Sequence, residues 1–146
     1  MRMQRMREKY VDTLAKLYDY ATTVYSKNQY TQWYDTKKGG YTYNEFKEKC
    51  DSLSKKLTQY GIGAGDKVAI LAQSMPNWSV AFFSLVPFGR IAIPILPDSS
   101  ENEITNILNH SESKVIFVSQ KLAYKLSEEC REKMTLVIDL DTFEVL

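Results

Sequence analysis

Three glycines at alternate positions, Gly61, Gly63 and Gly65, precede an apolar run in GIGAGDKVAI (Gly61 to Ile70). Loops rich in glycine cradle phosphates through free backbone N–H groups, so this stretch raises the question of nucleotide chemistry. The other residues able to do chemistry are Ser74, Asp98, Ser119, the acids Asp139 and Asp141, the thiols Cys50 and Cys130, and His110. A serine needs a positioned base to become a nucleophile. The single histidine supplies none at a recognisable spacing, and a zinc site or Cys–His pair of conventional spacing cannot be built around it either. Cys50 and Cys130 lie far apart in helical patterns, which fits reduced, half-buried thiols in a cytosolic protein rather than a disulfide framework or a metal set. Asp98 is expected to help cap the helix after it, and His110 to sit at a helix C-terminus. Asp139 and Asp141 resemble a paired-carboxylate site, but two loop acids near a chain end are expected to be solvated.

The elements around the glycines decide what they are for. Phe46, Cys50, Leu53, Leu57 and Tyr60 form an apolar stripe at helical spacing, with Lys47, Lys49, Lys55 and Lys56 toward water. Thr42 and Glu45 open that helix as a capping box, and Gly61 suits its left-handed end, with Ile62 as the apolar residue after it. A dinucleotide loop follows a strand and opens a helix. Here the order is helix, glycines, strand, so the sequence predicts a tight turn feeding a strand from Lys67 to Ala72.

A regular alternation follows. A helix from about Asn77 to Phe88 turns Trp78, Phe82, Leu85 and Val86 inward, and IAIPIL is the next strand. Ser100 and Glu103 make a second capping box, KVIFVS is a third strand, Lys121 to about Lys133 a helix, and TLVIDL a fourth strand. Apolar strands alternating with amphipathic helices predict an α/β fold, a mostly parallel sheet with helices on both faces. Before it, steps of three and four from Met3 to about Tyr25 predict an N-terminal helix. Tyr30 to Tyr34 and Tyr41 to Tyr43, joined through Lys37-Lys38-Gly39-Gly40, predict a β-hairpin. The organisation read from this is 1–29, N-terminal helical arm; 30–43, hairpin; and 44–146, α/β subdomain. In such sheets ligands bind beyond the carboxyl ends of the strands. Those ends read Gln73-Ser74, Leu96-Pro97-Asp98, Ser119-Gln120 and Asp139 to Asp141, without the acidic cluster a receiver-type signalling domain needs at its first strand.

Composition is that of an ordinary globular chain, 44% hydrophobic and 25% charged, and a net charge of +1 provides no field to recruit nucleic acid or an anionic membrane. Eight of the ten tyrosines precede residue 45, but no continuous basic groove accompanies them, so they are read as fastening the arm to the core. Arg2, Arg5, Arg7 and Lys9 form a local basic cluster, read as a solvated helix end. Trp78 to Pro97 is about long enough to span a bilayer. It holds Arg90 and three prolines, and reads instead as a buried helix followed by a buried strand of a soluble protein.

The run GGYTYNEF (Gly39 to Phe46), then GIGAGDKVAILAQSMPNWSVAFFS (Gly61 to Ser84), then GRIAIPILPDSSENEITNILNHSESKVIFVS (Gly89 to Ser119) resembles the opening of adenylate-forming enzymes of the acyl-CoA synthetase, AMP-binding class. NHSESKVIFVS leans toward the long-chain fatty acyl-CoA synthetases. The resemblance implies the N-terminal portion of a ligase that uses ATP, Mg²⁺ and coenzyme A to activate a fatty acid and pass it to the thiol. It implies a cytoplasmic enzyme, with peripheral membrane association left open, and no nucleic-acid partner. The family's phosphate loop ending in lysine, its Thr-Glu motif, its ribose-binding Asp and its C-terminal-domain lysine are not found here. YATTVY (Tyr20 to Tyr25) has threonines but neither glycine nor lysine. No catalytic, cofactor-binding or metal-binding residue is therefore assigned, and the segment alone is expected to be inactive, to bind no cofactor and to self-associate through an open sheet edge. Ser74 stands where Asn is commoner and Arg90 where Ala is usual, both expected to bear on packing or on subfamily. A free-standing α/β interaction module and a small nucleotide-binding domain remain the alternatives.

Overall fold

Helix α2 (Tyr43–Gln59) begins and ends as its sequence dictates. The Thr42 hydroxyl accepts from the Glu45 N–H at 3.2 Å and the Glu45 carboxylate accepts from the Thr42 N–H at 3.0 Å. At the other end Ile62 donates to the Leu57 carbonyl and Gly61 to that of Thr58, with Gly61 at φ 80°, the paired bonds of a left-handed helix cap. The computed structural model describes residues 11–33 and 39–146. The basic cluster, the predicted helix between Met3 and Tyr10, and Tyr34 with the Lys37-Lys38 turn lie outside them.

Before α2 come α1 (Leu14–Val24) and the antiparallel strands β1 (Gln29–Gln32) and β2 (Gly40–Thr42). The hairpin is as predicted. The helix is not continuous from Met3, because extended Thr13 caps Leu14–Val24 with its own hydroxyl, accepting from Lys16. Tyr18 fastens this helix to the core, stacking on Phe83 and donating to the Asp51 carboxylate at 2.6 Å.

The remainder alternates as expected: β3 (Lys67–Leu71), α3 (Pro76–Leu85), β4 (Ile91–Ile95), α4 (Glu101–Ser111), β5 (Val115–Val118), α5 (Glu128–Lys133) and β6 (Leu136–Asp139). All pairings in this sheet are parallel, in the order β4-β3-β5-β6. Each strand alternates between two cores. Val68, Ile70, Val115, Phe117 and Ile138 pack with Cys50, Leu57, Val80 and Leu85 of α2 and α3. Ala69, Leu71, Ile116, Val118 and Val137 pack with Ile104 and Leu108 of α4, Leu122 and Cys130. Each large aliphatic side chain buried this way contributes about 2 kcal/mol.

Four expectations need correction. The predicted helix from Lys121 to Lys133 is two pieces, a 3₁₀ segment Gln120–Lys125 and α5, because Leu126 is extended and Ser127 caps a new start by accepting from Cys130. Helix α3 turns Val80, Ala81, Ser84 and Leu85 inward, while Trp78 and Phe82 stand half-buried and stack on each other with centroids 5.4 Å apart. It ends at Leu85, and Val86–Phe88 tighten into a 3₁₀ turn around Pro87. Tyr60 is 49% exposed, since Gly61 ends the helix before its ring reaches the core. Strand β4 is an edge rather than a buried strand. Among the described residues no helix is long and apolar enough to cross a membrane.

Candidate functional site: the carboxyl edge of the sheet

The strand order makes the chain reverse its direction of travel between β3 and β5, and crevices for ligands form at the carboxyl ends of such a pair. There the structure places Gln73 and Ser119 together: the fully buried Ser119 hydroxyl donates to Gln73 Oε1 at 2.8 Å. Next to them Gln120 Nε2 donates to Asp139 Oδ2, the Gln120 backbone N–H to Asp141 Oδ2, both at 2.8 Å, and the Asp141 N–H to Asp139 Oδ1. Asp139 is 6% exposed, so the expectation of a solvated loop acid fails for it. It ends a buried strand, and its carboxylate is satisfied by amide donors that replace water. Asp141 is exposed as expected.

Asn77, in the first turn of α3, ties the same edge to the hairpin. Its Oδ1 accepts from the Tyr41 hydroxyl at 2.6 Å, and its Nδ2 donates to the Leu140 and Asp141 carbonyls. Ser74 is exposed and lines a cleft of about 350 Å³ with Ala72, Met75, Trp78, Ser79 and Pro97. Asp98 is exposed nearby; the cap of α4 is Ser100, whose hydroxyl accepts from Glu103, so the role predicted for Asp98 is filled by the better-placed Ser100. His110 does sit in the last turn of α4.

The glycines lie at the opposite, amino edge. Gly61 donates to the Thr58 carbonyl, Gly63 to Asp66 Oδ2 and Gly65 to the Gly89 carbonyl, so the N–H groups of all three are engaged. Gly61 and Gly65 have φ of 80° and 82°, the left-handed values the turn requires. Asp66 closes it, and a hydrogen bond from Lys114 at 2.9 Å, then that from Gly63, hold its carboxyl below the usual range. The turn reading stands; no phosphate cradle is available here.

Beside this turn lies what sequence reasoning placed only as packing. Arg90 is 4% exposed. Its Nε and Nη2 donate to the Ile62 carbonyl, Nη1 to Ser54 Oγ and the Ser84 carbonyl, and Nη2 also to the Ser54 carbonyl and Thr58 Oγ1. Burial pushes its pKa down, and Asp66 opposes that. The signal in the sequence was an arginine between a helix and an apolar strand.

Chemically the carboxyl edge is a set of hydrogen bonds that fix loops against one another. Ser119 faces an amide rather than a base, and Asp139 is fully engaged, so neither is prepared to make or break a covalent bond. Cys50 is buried, and desolvation pushes its thiol well up, away from the thiolate form a nucleophile needs. Among the described residues no group of three or more His, Cys, Asp or Glu is placed to hold a metal ion.

A family profile described as AMP-binding enzyme matches residues 20–146. YdaB of Bacillus subtilis (strain 168), named provisionally as an acyl–CoA ligase, is 28% identical over 101 residues, 69% of this chain and 20% of that protein. Fatty acyl-CoA synthetase A of Dictyostelium discoideum is 24% identical over 95 residues, 63% of this chain and 14% of that protein. The crystal structure of the anthranilate CoA ligase AuaEII in complex with anthranoyl-AMP superposes with a TM-score of 0.79 at 18% identity, over 90% of this chain and 25% of that one. The chain thus spans a quarter or less of each of these relatives.

Proposed function

Because this chain belongs to the AMP-binding enzyme family, whose profile it matches over residues 20–146, we propose that it is the N-terminal part of an ATP-dependent acid–thiol ligase. The parent enzyme joins a carboxylic acid to coenzyme A in two steps. A carboxylate oxygen attacks the α-phosphorus of ATP, with Mg²⁺, and pyrophosphate leaves; the thiol of coenzyme A then attacks the acyl carbon and AMP leaves. The acid is a long-chain fatty acid. NHSESKVIFVS and the Dictyostelium fatty acyl-CoA synthetase support that choice, and the anthranilate ligase shows why it needs its own test.

The family match is the observation that carries this reading. This segment's part is to frame. Its glycines offer the ATP phosphates no cradle, because the N–H groups of Gly61, Gly63 and Gly65 are engaged by Thr58, Asp66 and Gly89. The arm 1–29, the hairpin 30–43 and the α/β subdomain 44–146 together form one piece of the large domain. The enzyme works in the cytoplasm, and its arm is fastened to the core through Tyr18.

The test uses the full-length protein. Exchange of labelled pyrophosphate into ATP should depend on added long-chain fatty acid, and coenzyme A should release AMP. Exchange with aromatic or short acids alone would remove the fatty-acid assignment and leave the ligase. No exchange with any carboxylic acid, or calorimetric binding of ATP by residues 1–146 alone, would remove the proposal.

A further inference from the structure

We propose that Pro94 is an edge guard: it closes the open edge of the sheet to strand addition, so that contacts made there run through side chains. The β6 edge is already covered, since Val145 bridges Ile138 antiparallel and Leu146 donates to the Val137 carbonyl. The β4 edge pairs with no other described strand. Its composition invites pairing: IAIPIL carries no charge, Ile91 is 44% exposed and Leu96, just beyond the strand, 72%. The lysines that commonly blunt an edge are missing.

Register shows what replaces them. Ile91 donates its N–H to the Asp66 carbonyl, and Ile91, Ile93 and Ile95 stand opposite Lys67, Ala69 and Leu71. Backbone groups alternate sides along a strand, so those of Ile91, Ile93 and Ile95 face β3 while those of Ala92 and Pro94 face outward. Pro94, paired with Ile70 and exposed, therefore occupies an outward position in mid-edge. There its missing N–H costs this sheet nothing, and an incoming strand would find one donor absent and a ring in its path. The self-association expected of an open edge is thereby narrowed to contact through side chains such as Leu96.

Sedimentation equilibrium on residues 1–146 tests this with two variants. Pro94→Thr restores the donor and should tighten self-association about tenfold, the effect of one added hydrogen bond. Adding Ala92→Pro moves the block to the neighbouring outward position and should return association to the parent level. Equal association of the parent and Pro94→Thr, or no reversal in the double variant, would overturn the proposal. Amide exchange on the unsubstituted chain reads the same geometry if a variant fails to fold. Ala92 should exchange freely and Ile93 should be protected; protection of both means a strand covers this edge and Pro94 does not guard it.

Discussion

Arg90 makes six hydrogen bonds to five acceptors, none of them a carboxylate. A buried cation is tolerated there because every acceptor is a carbonyl or hydroxyl near the C-terminal ends of α2 and α3, where the helix dipoles are negative, or in the turn after α2. Arg90→Ala should lower stability by about 3 kcal/mol, since the Ser54, Ile62 and Ser84 carbonyls each lose a donor in a dry site. Arg90→Lys, which keeps the charge without the planar fork, should lose part of that, and urea midpoints measure both. Asp66 makes a second prediction, in pH. Its carboxyl is held low by Lys114 and Gly63. The stabilisation is therefore present above the ordinary carboxylate range and fades as pH falls through the lowered folded value. Asp66→Asn should flatten the acid limb of the stability profile, and an unchanged limb would show that the pair with Lys114 adds nothing. At this scale the sequence was least informative. Apart from the Ser84 carbonyl beside Arg90, the partners of Arg90, Asn77 and the Gln120–Asp139 pair lie 19 to 64 positions away, and no local pattern reports such distances.

Helix ends, by contrast, are written in adjacent residues and were legible. Both capping boxes, Thr42 with Glu45 and Ser100 with Glu103, form as read. Thr42→Ala should cost about 1 kcal/mol by leaving the Glu45 N–H without its acceptor, checked by thermal or urea unfolding. The errors share a cause: apolar spacing does not show where the backbone leaves the helix. Thr13 and Ser127 each cap a new start inside what reads as one stripe. Asn77 links elements instead of ending one. Asn77→Ala should destabilise by about 2 kcal/mol, because the Tyr41 hydroxyl and Leu140 carbonyl both lose a buried partner.

For the molecule as a whole, the alternation of apolar strands with amphipathic helices was enough to give a parallel sheet with two cores, because both faces of every central strand must be apolar. Strand order was not legible. The placement of β5 beside β3, which sets the crevice at Gln73 and Ser119, depends on contacts between strands far apart in sequence. The candidate site follows the same rule: its residues could be named as strand ends, while their mutual bonds, and hence their structural character, waited for the fold. The match to the AMP-binding family and the engaged glycines support the central proposal, that this segment frames a ligase whose phosphate chemistry is carried elsewhere in the parent chain. Reading the native coding sequence past Leu146 tests it most directly. We expect an open frame leading to a loop rich in serine, threonine and glycine that ends in lysine. A stop codon there, or a continuing frame without that loop, would contradict it.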